Sequence, residues 1–271
     1  MHSVLFRAVA QPRQLLLLAA LLFPLGFTNC GGTPGAARTS LPSTLPPAIP
    51  AAQPVLLFNG TGTSSSDVDA VETILATLAL GYETADSAQL DTMSEPQLAG
   101  YKLLIVPGGD SRVIGGNLSS STVAGIRGAV ADYGLHYLGI CAGAFFGGYS
   151  IYNGIDVTGG VSFDFYQDEF KGTHIEPLAI SFPAGNQLDV YWQDGPQLSG
   201  WGQVVARFPD GNAAIAEGSS GKGYVIFTGV HLEAPASWRG SMQFSTPVSD
   251  DLAYAATVVQ AAFSGTLLPH F

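Results

Sequence analysis

Cysteine is scarce in this chain: among 271 residues there are only Cys30 and Cys141. A multi-bridge disulfide framework is thereby excluded, and each of the two sulfurs needs its own explanation. Charge is scarce as well. Charged residues make up 11%, and ten Lys and Arg stand against 21 Asp and Glu, for a formal net charge of −11. No basic stripe is present to track a phosphate backbone, so nucleic acid and anionic membrane surfaces are excluded as expected partners. The sequence also lacks an internal repeat and an unbroken apolar run of the roughly 20 residues that a spanning helix needs. Its length fits one domain with a sizeable core.

What is present begins with a different texture. Arg7 and Arg13 precede "LLLLAALLFPLGF", a run interrupted by Pro24 and Gly26. A basic start followed by an apolar run of this length predicts an export signal over residues 1–30, with an uncleaved anchor as the alternative. "FTNC" then puts Cys30 where a bacterial lipoprotein signal carries its acylated cysteine, although Phe27 and Asn29 depart from that pattern. Residues 31–53 are rich in Pro, Ala, Ser and Thr with Arg38 as the single charge, the composition of a disordered tether. The expectation is an exported, periplasmic or cell-envelope protein, with a lipid at Cys30 as its membrane contact. Lipidation would leave Cys141 a free thiol; the alternative is a Cys30–Cys141 disulfide.

Residues 54–265 read as one α/β domain. "PVLLFNG", "YETADS", "YKLLIVPGG" and "HYLGIC" are short strand-like runs. Between them, Val68, Val71, Leu75 and Leu78, and later Val123, Ile126 and Val130, recur at helical spacing, with Ser66 and Asp69 at capping-box spacing. Strand–helix alternation implies a mainly parallel sheet covered on both faces, a three-layer domain whose reactive groups collect at the carboxyl ends of the strands. Beyond Gly154 the segments Leu188–Trp192, Gln203–Phe208, Ala213–Glu217 and Gly223–Thr228 read as antiparallel additions, and residues 249–263 as a closing helix.

Cys141 sits in Gly139-Ile140-Cys141-Ala142-Gly143, between a strand and a helix. This is the cysteine version of the nucleophile elbow, where a tight turn holds the side chain in strained geometry and glycines two residues away relieve crowding. The helix that follows aims free amides at the sulfur and favours thiolate. A buried structural cysteine with glycines for helix packing is the competing reading.

A nucleophile needs a base and the base an orienting partner. His174-Ile175-Glu176 and His231-Leu232-Glu233 both have the spacing. The second follows a strand that would end on the same rim as Cys141, so His231 and Glu233 are favoured, with His174 on a surface loop. Gly108 and Gly109 of "PGGD" and the amide of Ala142 are candidate oxyanion donors.

The motifs "VLLFNGTGTS", "LLIVPGGD", "YLGICAGAFFGG", "VYWQDGP" and "GKGYVIFTGVHLE" together resemble the N-terminal domain of biotin-protein ligases, within the class I glutamine amidotransferase-like superfamily. The resemblance spans about residues 54–235. It implies a flavodoxin-like fold, Cys141 as nucleophile with His231 and Glu233 as partners, Gly109 and Ala142 around the oxyanion, and Asn59 and Asp110 at the same mouth. No biotin-ligase catalytic motif accompanies it, so no biotinylating activity is expected. An amidase or acyl-transfer hydrolase acting on a small molecule or peptide fits these residues, and a non-catalytic ligand-binding module on the same scaffold is the alternative. "FDFYQDEF" and "YWQDGP" could wall a pocket against anionic substrates or be solvated loops. Asp164, Asp168 and Glu169 form only a weak oxygen set, so neither metal nor cofactor is expected.

Overall fold

The computed structural model describes residues 54–271. The export signal expected over residues 1–30, the tether expected over residues 31–53 and Cys30 lie outside the described residues.

Strand and helix alternate through the first half: β1 (Val55–Phe58), α1 (Ser65–Thr77), β2 (Tyr82–Ala85), α2 (Ser87–Thr92), α3 (Glu95–Leu98), β3 (Leu103–Val106), α4 (Ser111–Gly116), α5 (Ser120–Gly128), β4 (His136–Ile140) and α6 (Ala142–Gly147). The second half is richer in strands: β5 (Asp164–Phe165), β6 (Ile175–Ser181), β7 (Gln187–Gln193), β8 (Pro196–Gln197), β9 (Gln203–Arg207), β10 (Ala213–Ser220) and β11 (Gly223–Thr228), followed by α7 (Ala236–Arg239) and α8 (Val248–Ser264). Nine strands share one sheet in the order β2-β1-β3-β4-β11-β10-β9-β6-β7. The five from β2 to β11 are mutually parallel and the remaining four antiparallel, the expected flavodoxin-like α/β arrangement with antiparallel additions. Chain order reverses beside β1, between β2 and β3, which opens a crevice at the carboxyl ends of the strands.

Side-chain alternation divides the core into two layers. Val55, Leu57, Leu103, Ile105, Leu138 and Ile226 face α1 and α8 on one side of the sheet. Leu56, Phe58, Leu104, Val106, Tyr137 and Val225 face α5 and its neighbours on the other. Strands buried on both faces are continuously apolar, which is why β1 and β3 are the plainest strands in the sequence.

Several local expectations are corrected. The cap of α1 is Ser64, whose hydroxyl accepts from the Asp67 amide, not a box starting at Ser66. Gly223–Thr228 forms a hairpin with β10 but also pairs parallel with β4, so it belongs to the parallel half. Ile175–Ser181 forms a further strand, β6, directly after His174. Only Ser181 of that strand pairs with β9, and Pro177 is tolerated because the strand behaves there as an edge. The fold also continues past residue 265: the Leu268 amide donates to buried Glu217 and the Phe271 amide to the Val204 carbonyl.

Candidate active site

Cys141 stands between β4 and α6 with φ 49° and ψ −105°, a left-handed conformation that a side chain adopts only under constraint. The constraint is visible in its neighbours. A Cβ on Gly143 would lie 1.9 Å from the Val106 carbonyl oxygen, and one on Gly139 would lie 2.5 Å from the Gly143 oxygen. Both positions therefore admit only glycine. The turn is tied down by the Cys141 amide donating to the Thr228 carbonyl at 2.8 Å and by the Tyr137 hydroxyl donating to Gly143 at 2.7 Å. Cys141 is a free, buried thiol whose Sγ lies 3.5 Å from the Gln193 carbonyl.

Because β4 and β11 are adjacent and parallel, the turn after β11 emerges on the same rim. There His231 is held by its amide, which donates to the Tyr191 carbonyl at 2.9 Å, and by its ring Nδ1, 2.9 Å from Glu233 Oε1. A second carboxylate, not anticipated from the sequence, reaches the same nitrogen: Asp67 Oδ1 on the first turn of α1 is 3.1 Å from Nδ1. That oxygen has no hydrogen-bond partner of its own, the ring N–H being directed to Glu233. All three side chains are buried.

Electrostatics follows from this crowding. Burial works against charge on His231, but the Cys141 sulfur, Glu233 and Asp67 outweigh it and hold the imidazole pKa well above its ordinary value. Burial raises the Glu233 carboxyl, and Asp67 adds to the rise against the pull of His231. For Asp67 burial is likewise opposed by His231, and here the imidazole, with Ser64 and a backbone amide, wins and lowers the pKa. An imidazolium beside the sulfur, with Asp67 ionised, is the arrangement these directions describe.

The pocket over this cluster has a volume of about 350 Å³. Gly109, Tyr191, Gln193, Asp194 and Trp238 line it together with Asp67, Cys141 and His231. The rings of Tyr191 and Trp238 meet edge to face at 5.5 Å, and each stands edge-on to His231 at 5.8 Å.

The structure sorts the remaining expected residues. Gly109 lines the pocket at φ +145°; its bridge to Thr63 uses the Gly108 carbonyl and the Asp110 amide and leaves the Gly109 N–H outside that pair. Ala142 supplies a first-turn amide of α6, one of the N–H groups a helix leaves without an internal acceptor. Gly108 lies below the pocket, where a Cβ would come within 2.2 Å of Asp67 Oδ1 and 2.8 Å of the His231 ring. Its lack of a side chain makes room for the carboxylate and imidazole. Asp110 does not face the mouth, because its carboxylate caps α4 by accepting from the Arg112 and Val113 amides. Asn59 is exposed, with its amide donating to the Ala85 carbonyl, and it does not line the pocket.

Of the two aromatic segments, Tyr191, Gln193 and Asp194 supply pocket wall, whereas Phe163, Asp164, Phe165 and Phe170 line a separate groove with Arg112 and Tyr152. Asp164, Asp168 and Glu169 are not brought together: Asp164 lies in β5, Asp168 pairs with Lys171, and Glu169 reaches His174. Among the described residues, two sets have donor atoms within 4.8 Å of one another, Asp67 with His231 and Glu233, and Glu169 with His174 and Asp194. Either set has donors of the kind that hold a divalent cation.

With this geometry in view, comparison with known sequences is decisive for part of the chain. The sequence model of the family described as "Biotin-protein ligase, N terminal" matches residues 53–186. Residues 53–186 belong to that family. The matched segment includes Cys141 and ends before His231 and Glu233, so those two are joined to the site by geometry alone. No curated protein matches the chain. Among solved structures, similarity extends to the exo-β-1,4-mannosidase Op5Man5 from Opitutaceae bacterium strain TAV5, with 12% identity and a TM-score of 0.48 over 78% of this chain and 36% of that one. It extends also to a β-galactosidase from the psychrophilic Marinomonas ef1, at 12% and 0.45 over 83% and 30%. A putative ThuA-like protein from Bacteroides uniformis ATCC 8492 matches at 13% and 0.42 over 77% and 91%. The chain spans about a third of the length of the two glycosidases it matches.

Proposed function

We propose that this domain is a cysteine hydrolase of amide or related acyl bonds, and that Cys141, His231 and Glu233 perform the chemistry. The observation that carries the reading is the left-handed Cys141 on a turn that excludes any side chain at positions 139 and 143. A cysteine that merely filled core space would need no such strain.

The steps follow from the atoms present. Cys141 Sγ, with its proton on His231, attacks the acyl carbon, and the carbonyl oxygen becomes an oxyanion facing the Gly109 and Ala142 amides. His231 gives the proton to the leaving nitrogen as the C–N bond breaks, and a thioester remains on Cys141. Water then attacks the thioester with His231 as base, releasing a carboxylic acid and the thiol. Glu233 accepts the Nδ1 proton and so keeps Nε2 available for these transfers. Asp67, ionised beside the ring, stabilises the imidazolium.

The test is amine or ammonia release from a library of primary and secondary amides by the full chain, with Cys141→Ala as control. Turnover that survives Cys141→Ala, or alkylation of Cys141 by iodoacetamide at the same rate in parent and His231→Ala, would sink the hydrolase. An alkylation rate unmoved by His231→Ala, with no turnover by the parent, would favour a ligand-binding module instead. We propose further that the domain works outside the cytoplasm on a lipid anchor at Cys30, supported by the basic start, apolar run and tether of residues 1–53. Mass spectrometry of the mature N-terminus should find a diacylglyceryl Cys30. A free Cys30 thiol or cleavage elsewhere overturns the anchor.

A further inference from the structure

Apart from the His231 imidazolium, which is already paired with Glu233 and Asp67, the charged residues lining the pocket over Cys141 are acidic. Asp67 and Asp194 line it, and none of the described residues lining it is Lys or Arg. At its floor, Asp67 Oδ1 is buried and has no hydrogen donor. That oxygen is enclosed by the His231 ring nitrogen at 3.1 Å and by Gly108, so Asp67 acts on a bound group through its charge. At the rim, Asp194 is 43% exposed in its side chain and shares His174 with Glu169. One imidazole between two carboxylates leaves the rim negative even when His174 is protonated. Tyr191 and Trp238 line the same pocket, and the face of such a ring attracts a cation.

Resting on the hydrolase reading of Cys141, we propose that this pocket selects an acyl substrate carrying a positively charged nitrogen and discriminates against one carrying a free carboxylate. Free glutamine carries both groups, and its carboxylate is the feature this pocket disfavours. Its α-carboxylate would meet Asp67 or Asp194 with no lining Lys or Arg to hold it, while an ammonium or guanidinium group would find negative charge and aromatic rings in the same pocket. Opposite charges 4–6 Å apart in partly hydrated surroundings change affinity by roughly five- to a hundredfold.

The experiment uses the full chain as Cys141→Ser, which keeps the pocket and removes the nucleophile. Calorimetric affinities are measured for three probes that share an N-acetyl α-amide frame and end in a cationic, a neutral and an anionic side chain: N-acetyl-lysinamide, N-acetyl-norleucinamide and N-acetyl-isoglutamine. The expected order is lysyl, norleucyl, isoglutaminyl, with about tenfold between the first two. Asp194→Asn should compress that ratio to threefold or less, and Asp67→Asn should weaken the lysyl probe at least fivefold. Asp194 is exposed, so its variant keeps the test alive if Asp67→Asn fails to fold. Equal affinities, an inverted order or no binding of the lysyl probe overturns the proposal. The outcome separates from that of the hydrolase reading. A charge order without turnover by the parent keeps the selectivity and sinks the hydrolase, whereas turnover of amides without a charge order does the reverse.

Discussion

Two histidines in this molecule have nearly the same neighbours and opposite circumstances. His231 Nδ1 lies 2.9 Å from Glu233 and 3.1 Å from Asp67; His174 Nδ1 lies 2.9 Å from Glu169 and 2.9 Å from Asp194. Both precede the pattern apolar residue then Glu, and both stand on the rim of the sheet, one after parallel β11 and the other before antiparallel β6. Yet the His231 side chain is 5% exposed and that of His174 60%. Water can replace every partner of His174 and salt can screen them, so its ion pairs constrain little. Nothing can replace those of His231 except the groups packed around it. The same donor set is thus a surface ion-pair cluster in one place and, in the other, a buried assembly of the kind the proposed chemistry needs, and depth decides between them.

The comparison breaks most plainly at the level of chemistry. His231→Ala should lower turnover of any amide substrate by about a thousandfold, the scale on which loss of a general base acts. His174→Ala should change it less than about threefold. Equal losses in steady-state kinetics would mean that the exposed cluster takes part in the reaction.

A second test works through the backbone that holds each cluster. Gly143→Ala would bring a methyl group 1.9 Å from the Val106 carbonyl, so β3 and the elbow must separate. A loss of about 3 kcal/mol in denaturant unfolding is expected, the upper range of overpacking. Gly172, two residues before His174, has φ +83° and open space around its missing side chain. Gly172→Ala should therefore cost only about 1 kcal/mol, the price of the left-handed conformation alone. If the two losses are alike, the elbow is looser than its contacts imply.

How much of this could be read beforehand also follows depth and locality. Cys141 with its glycines and His231 with Glu233 are compact motifs, each following a strongly apolar strand, so their pattern survives in the sequence. Asp67 does not announce itself. An Asp in the first turn of a helix is ordinary, because it suits the helix dipole, and only its position after β1 in a doubly wound sheet hints at the rim. Asp110 shows the opposite: the family resemblance implied a place at the mouth, while a cap on α4 was the stronger demand on its carboxylate. Trp238 and Tyr191 meet across segments far apart in the chain, and only the folded antiparallel half brings them to the same wall.

The finest distinction between the two histidines is in how their charge responds to salt. The carboxylates Asp194 and Glu169 raise the His174 pKa, and Cys141, Glu233 and Asp67 raise that of His231 against the effect of burial. In both cases the folded state binds its proton more tightly than the unfolded chain. Each therefore adds stability that is complete below the unfolded pKa and is lost as pH rises through the folded one. What differs is the medium between the charges. Around His174 it is water, and raising salt from 0.02 to 1 M shortens the screening length from tens of ångströms to about 3 Å. Around His231 it is protein, which ions do not enter. Ring-proton NMR titrations at the two salt concentrations should show the His174 midpoint falling toward its ordinary value by a few tenths of a unit, with His231 unmoved. Asp194→Asn should lower the His174 midpoint and also leave His231 unchanged. A His231 midpoint that falls with salt as far as that of His174 would mean that solvent reaches its carboxylates, and the difference in depth would no longer explain the difference in role.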